Sequence, residues 1–242
     1  MNKIKLTALP CICADVFYGT EIIRPGGEAL NFAAHASHFK DIDVTLLGVV
    51  GKDKYAEAIM DSISKLDIDK NHIRIDERYQ TANNMTYLTE SGDRYYKDDS
   101  WNGEILDNIV LNDNEIKILS RSDVVFVHFW ASCFSQVVEL KETLGFKLAV
   151  DFDVYRDFAD MERFAPHVDF FMISGSEELL PRFKELSNKY RCLFNVSLAE
   201  RGSVTYFNGQ EFKVQAVKVE SIIEGTSFLG IVHRNAPFRG SI

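Results

Sequence analysis

Arg24-Pro25-Gly26-Gly27-Glu28-Ala29-Leu30-Asn31-Phe32-Ala33 is the stretch on which the reading of this chain turns. Two successive glycines run straight into a segment of helix-compatible residues, which places a glycine turn at the start of a helix. Without Cβ atoms such a turn lets backbone N–H groups come close to a ligand, and the helix N-terminus favours polar or negative oxygens. Asn31 stands one turn into that helix, where its amide can both donate and accept. The same pattern also suits a plain tight turn capping a helix, so the surroundings have to decide.

Working outward, short apolar or β-branched runs alternate with longer amphipathic stretches. Candidate strands lie at 43–50, 123–129, 147–152, 168–173 and 192–198, and candidate helices at 28–39, 55–66, 113–120, 132–144, 157–164 and 176–190. Asn112 with Glu115 three residues on reads as a capping box that starts one of these helices. The alternation predicts an α/β fold with a doubly wound, three-layer sheet. Two segments interrupt it. Residues 84–97 contain Thr86-Tyr87-Leu88-Thr89, a Glu90-Ser91-Gly92-Asp93 turn and then Arg94-Tyr95-Tyr96, which predicts a β-hairpin projecting as a small lid. Residues 203–214 contain Asn208-Gly209 between two strand-like runs, which predicts a hairpin with a type I′ turn. No repeat or proline-rich linker marks a second domain, so one domain is expected over 1–242, with lid strands within about 15–27 and 73–100.

With 242 residues and 46% hydrophobic composition, the chain can bury a sizeable core. A formal charge of -9 without a basic run speaks against nucleic acid or an anionic membrane as partner, since phosphates demand clustered Lys and Arg. No signal-peptide pattern and no transmembrane-length apolar run is found, so a cytoplasmic protein is expected. Cys11, Cys13, Cys133 and Cys192 have neither CxxC nor zinc spacing and read as reduced core residues. Cys11 and Cys13 alternate as one face of a strand would. A dinucleotide-binding fold is disfavoured, because the glycines do not follow the first strand directly and the third glycine of its fingerprint is missing.

Taken together, Gly26-Gly27, Asn31 four residues on, the small Ala33, and then Gly48 and Val50-Gly51-Lys52-Asp53 resemble the first signature of the PfkB/ribokinase family of carbohydrate kinases. The resemblance spans roughly residues 3–230, including the order of elements and the early lid. It implies ATP and Mg2+ as cofactors and a sugar hydroxyl as acceptor. Asp15 falls where that family has a strand-end aspartate gripping sugar hydroxyls, so the implied sugar site is Asp15, Gly26, Gly27 and Asn31, with Tyr87 and Tyr96 of the lid as covers. Within the family, the short chain, the aromatic lid and Pro166-His167-Val168-Asp169-Phe170 are most similar to fructoselysine 6-kinases. Read from the residues alone, Asp15 also fits a solvated strand end, and the two tyrosines fit ordinary packing on a sheet.

For the nucleotide side, the resemblance implies three places. Asp151-Phe152-Asp153-Val154-Tyr155-Arg156 is similar to the family's Asp-x-Asn-x-Arg segment, with Asp153 in the Asn position. Ser174-Gly175-Ser176-Glu177 matches the family's Asn-x-x-Glu only at Glu177, which the family uses indirectly to hold magnesium; a helix-start glutamate explains it as well. Asn195 to Ser203, with Ser197 and Gly202 as the implied nucleotide contacts, resembles Thr-Leu-Gly-x-x-Gly, keeping Gly202 but carrying Ala199 for the earlier glycine. Alanine is a small intrusion there if the position does not need positive φ.

The second family signature, Asp-Thr-x-Gly-Ala-Gly-Asp-Ser-Phe, aligns with Glu220-Ser221-Ile222-Ile223-Glu224-Gly225-Thr226-Ser227-Phe228. The implied catalytic positions are Glu224, Gly225 and Thr226, the last in place of the Asp that takes the hydroxyl proton. A threonine cannot act as that base at neutral pH, and Glu224 sets a carboxylate where phosphate charge develops. The chain then stops at Ile242, where a truncated or altered C-terminus is expected. The expectation is therefore a sugar or fructosamine kinase by descent with weak or absent transfer, or alternatively a sugar-binding homologue acting as a sensor or partner subunit. An exposed lid edge also suggests a homodimer through the lid.

Overall fold

The computed structural model describes residues 3–90 and 94–216, and the chain divides into two compact units, residues 1–150 and 151–242. In the first unit come β1 (Ile4–Leu9), β2 (Cys13–Phe17), β3 (Ile23–Gly26), α1 (Glu28–Ala36), β4 (Ile42–Leu46), β5 (Gly48–Val50) and α2 (Lys54–Ile63). There follow β6 (Ile68–Asp69), β7 (Ile73–Ile75), β8 (Asn83–Leu88), β9 (Arg94–Tyr95), β10 (Trp101–Asn102), α3 (Asp113–Leu119), β11 (Val124–His128), α4 (Phe134–Leu144) and β12 (Lys147–Asp151). Strands β12, β11, β1, β4 and β6 lie side by side in that order, with β1 parallel to β11 and β4, and β4 parallel to β6. Residues 6–9 and 125–127 are buried in unbroken runs, the pattern of parallel strands covered on both faces. Helix α1 packs on β1, β4 and β11, where Phe32 stacks on Phe126 with ring centroids 3.9 Å apart.

A second sheet of the same unit runs β10-β8-β2-β3, with β9 on β8, and a third pairs β5 with β7. β8 is parallel to β2, and β2 antiparallel to β3. β8 and β9 pair antiparallel through Tyr87 with Tyr95 and Leu88 with Arg94, so this hairpin stands outside the main parallel sheet.

In the second unit come α5 (Phe158–Phe164), β13 (Phe170–Ser174), α6 (Leu180–Lys189), β14 (Leu193–Ser197), β15 (Ser203–Phe207) and β16 (Gln210–Val214). β13 and β14 are parallel, while β14, β15 and β16 run antiparallel. Its core is aromatic: Phe152 stacks on Phe171 at 3.8 Å, and Phe183 and Phe194 close the cluster with centroids 5.7 Å apart. Both units are mixed α/β, as the alternation predicts. No helix among the described residues is long and apolar enough to cross a membrane.

The local expectations hold best where one short stretch supplies the whole signal. Asn112 accepts from the N–H groups of Asn114 and Glu115, and Glu115 reaches back to the Asn112 N–H at 2.9 Å, so the capping box is complete. Asn208 and Gly209 have φ of 50 and 73, the two positive values of a type I′ turn. The single strand expected over 43–50 is instead two strands in different sheets. Gly48 is where the chain changes sheet: a Cβ there would lie 2.7 Å from the Pro10 carbonyl oxygen, a close approach that only glycine tolerates. Likewise the helix expected over 176–190 begins as a 3-10 turn at Glu177–Leu179 and is α-helical only from Leu180, with proline in its first turn. Cys11 precedes β2 rather than lying in it, although both it and Cys13 are buried.

Candidate functional site

The glycine turn is held against the entry to β2. Gly27 caps α1 at φ 98, and a Cβ on it would lie 2.5 Å from the Cys11 carbonyl oxygen and 3.0 Å from the Cys13 nitrogen. The Leu30 N–H donates to that same Cys11 oxygen at 3.3 Å. Both the left-handed backbone and the close approach require glycine. A Cβ on Gly26 would meet the Asp15 carboxylate at 3.3 Å, so Asp15 lies directly over the turn. Asn31 is exposed one turn along α1, and its side chain has no hydrogen-bond partner among the described residues. The structure thus brings Asp15, Gly26, Gly27 and the head of α1 together.

Cross-strand register extends the site beyond what the sequence showed. Arg24, Asp15, Asn84 and Trp101 are successive partners across β3, β2, β8 and β10, so they share one face of the second sheet. Asn84 Oδ1 is buried and has no hydrogen-bond partner among the described residues. A Cβ on Gly103 would collide with the Trp101 indole, so that glycine makes room for the ring to lie across the chain. Trp101 forms one wall of a cavity of about 320 Å³, whose other walls include Glu28, Asp107, His128 and Trp130. Glu28 ties this cavity to the glycine turn, because it is the first residue of α1. The only local signal for the cavity residues is the Trp101-Asn102-Gly103 triplet; Trp130 and Asp107 are carried there by the fold.

Tyr87 is not part of this face. It lies three residues after Asn84, and strand alternation turns it to the opposite side, where it stacks on Tyr18 at 4.8 Å and on its partner Tyr95 at 5.4 Å. Lys97 Nζ sits 4.1 Å from the Tyr87 ring centre and adds a cation–π contact. Tyr96 follows β9 and is about half exposed. Hydrogen bonding with Cys13, burial and the nearby Glu28 carboxylate push the Cys11 thiol well above its ordinary pKa. It is a protonated core thiol rather than a nucleophile.

Gly51 and Asp53 turn out to be a joint. Asp53 caps α2 by accepting from the N–H groups of Tyr55 and Ala56, and also accepts from the Thr81 N–H at 2.7 Å and the Thr81 hydroxyl at 2.9 Å. Burial acts to raise the Asp53 carboxyl, but these bonds outweigh it and hold its pKa below the usual value. A Cβ on Gly51 would lie 2.5 Å from the Tyr79 oxygen, so the segment leading into β8 is clamped to the start of α2.

In the second unit, Ser197 ends β14, its carbonyl accepts from the Gly175 N–H at 3.0 Å, and its hydroxyl is 3.4 Å from that of Ser174. Ala199 opens a 3-10 turn at φ 51, and Gly202 closes it at φ 90, where a Cβ would run into the Val214 carbonyl oxygen. The proviso under which Ala199 would be harmless is therefore not met: the position does adopt positive φ. Asp153 is also left-handed, at φ 47, with its N–H bonded to Asp151 Oδ1 and its carbonyl accepting from the Ser174 N–H. Glu177 pairs with Arg201 at 3.3 Å across the loops. Asn195 Oδ1 and Ser203 Oγ, on one face of β14 and β15, are buried without partners among the described residues. No group of three or more His, Cys, Asp or Glu among those residues is arranged to hold a metal ion.

The family model for pfkB family carbohydrate kinases matches residues 22–227. This chain belongs to that family. Among solved structures it is similar to ribokinase from Arabidopsis thaliana, determined with ribose and ATP: 13% identity, TM-score 0.74, covering 93% of this chain and 82% of that one. Adenosine kinase from Sinorhizobium meliloti follows the same course at 16% identity and TM-score 0.70, over 92% and 82% of the two chains. Ribokinase from Giardia lamblia does so at 18% identity and TM-score 0.66, over 90% and 77%. At these identities the likeness establishes the ribokinase fold. No curated protein matches the sequence. Of the pfkB signatures, the first is built into the glycine turn and the α2 joint just described. The second, with Glu224, Gly225 and Thr226, lies outside the described residues.

Proposed function

We propose that this pfkB-family chain binds a sugar or fructosamine, of the fructoselysine kind, in its first unit, and that its phosphoryl transfer is weak or absent. The observation that carries the sugar reading is the Asp15 carboxylate lying over Gly26, beside an α1 head whose Asn31 amide is unengaged. A carboxylate and an amide so placed can grip vicinal hydroxyls and orient a primary hydroxyl for attack. When bound, ATP supplies the phosphoryl group and magnesium neutralises its charge. Glu177 is the carboxylate this chain offers on the magnesium side, and Ser197 and Gly202 line the adenosine side. In transfer, Gly225 would offer its N–H to the phosphoryl oxygens, and the hydroxyl proton would have to leave without the family's aspartate, because Thr226 stands in its place.

Two features favour the alternative of a sugar-binding sensor or partner subunit: Glu224 and Thr226 in the second signature, and Ala199 held at positive φ where the family has glycine. The test is purified chain with Mg-ATP and a sugar panel that includes fructoselysine, read by thermal stabilisation and by ADP release. Sugar-dependent stabilisation with little or no ADP release is expected. Rapid turnover overturns the impaired-transfer reading, and no stabilisation by any sugar overturns the sugar reading. The combined substitution Ile223→Gly, Glu224→Ala and Thr226→Asp should raise turnover by ~10²-fold or more while changing sugar affinity little.

Two copies would pair through the lid, where Tyr18, Ile22 and Tyr95 stay exposed beside the Tyr87 stack. Tyr18→Asp should then shift the protein to a monomer in light scattering, and an unchanged mass would dismiss the dimer. Four buried free thiols support a reducing, cytoplasmic location.

A further inference from the structure

The cavity beside the glycine turn has a charge character of its own. Both formally charged residues in its wall, Glu28 and Asp107, are acids. Neither carboxylate has a cationic partner among the described residues. Arg24 stands at the other end of the cross-strand row from Trp101 and does not line the cavity. Two indoles face the same space, Trp101 and Trp130, and they remain 50% and 59% exposed. Large rings left open at a cavity wall, next to anions without counter-charges, form a surface that attracts a cation and repels an anion.

We propose that Glu28 is the charge filter of this sugar pocket, favouring a sugar that carries a protonated amine over a neutral one, and a neutral one over a sugar acid. The proposal rests on the sugar-binding reading above and specifies its substrate class. Glu28 is suited to the task because it opens α1 in the cavity wall, one residue from the glycine turn. The ammonium then lies between Glu28 and Asp107, against the indole faces, while the hydroxyls stay with Asp15 and Asn31.

The test compares affinities by calorimetry for 1-amino-1-deoxyfructose, its N-acetyl form and gluconate, with the parent chain, Glu28→Gln, Asp107→Asn and Asp15→Asn. In the parent the amine should bind ~10-fold or more tightly than the N-acetyl sugar, and gluconate least. Glu28→Gln should shrink the amine to N-acetyl ratio towards one, and Asp107→Asn should shrink it less. Asp15→Asn should weaken amine and N-acetyl sugars together and keep their ratio. Equal affinity for amine and N-acetyl sugars in the parent, or a ratio untouched by Glu28→Gln, overturns the charge filter and leaves the sugar reading standing. Failure of the parent to bind any of the three overturns both.

Discussion

Two loops, one in each unit, use positive φ, and they meet that demand differently. In the turn before α1 the left-handed residue is Gly27, packed against the Cys11 carbonyl with no room for a Cβ. In the turn after β14 the left-handed residues are Ala199 and Gly202, and only the second is a glycine. The turn before α1 therefore keeps the residue its geometry requires, whereas the turn after β14 holds an alanine in a conformation that costs an L-residue about 1–2 kcal/mol. The contrast teaches that one backbone demand is met without strain by glycine in the first loop and with strain by alanine in the second.

The strongest way to break this contrast is Gly27→Ala. It should lower stability by about 3 kcal/mol, measured by urea denaturation, because it combines positive φ with a clash against backbone. A loss below about 1 kcal/mol would mean the turn before α1 is as tolerant as the other. Next in size, Asp53→Ala should cost about 2 kcal/mol by removing the α2 cap and the bonds to Thr81. Because the folded Asp53 pKa is depressed, its contribution is complete above the unfolded value near ~3.9 and is lost as pH falls through the folded value. The parent should thus lose stability relative to Asp53→Asn on acidification below about pH 4, and parallel pH profiles would refute the assignment.

Smaller and opposite in sign, Ala199→Gly should stabilise the chain by about 1 kcal/mol, a rise of roughly 2–4 °C in Tm. A neutral or negative effect would show that the turn relaxes around alanine and that the two loops do not differ. The smallest change should come from Asp153→Asn, because both residue types tolerate the left-handed region at φ 47. Its effect should stay within about 0.5 kcal/mol in the same melting experiment.

How far the sequence alone reached follows from the range of the interactions. The Asn112 capping box, the Asn208-Gly209 turn, the α1 start at Gly27 and the βα alternation were all legible, because each is decided by residues within a few positions of one another. The cluster of Asp15, Gly26, Gly27 and Asn31 was legible only through a resemblance, since the carboxylate and the turn are joined by strand pairing rather than by spacing. Register decided the rest. It set Asn84 and Trp101 in line with Asp15, turned Tyr87 to the other face, split 43–50 at the approach of Gly48 to Pro10, and brought Trp130 into one cavity wall with the distant Glu28. A side chain's face depends on which strand lies beside it, and the φ of Ala199 depends on the turn that must close to Gly202. Both are consequences of long-range pairing, which no local pattern encodes.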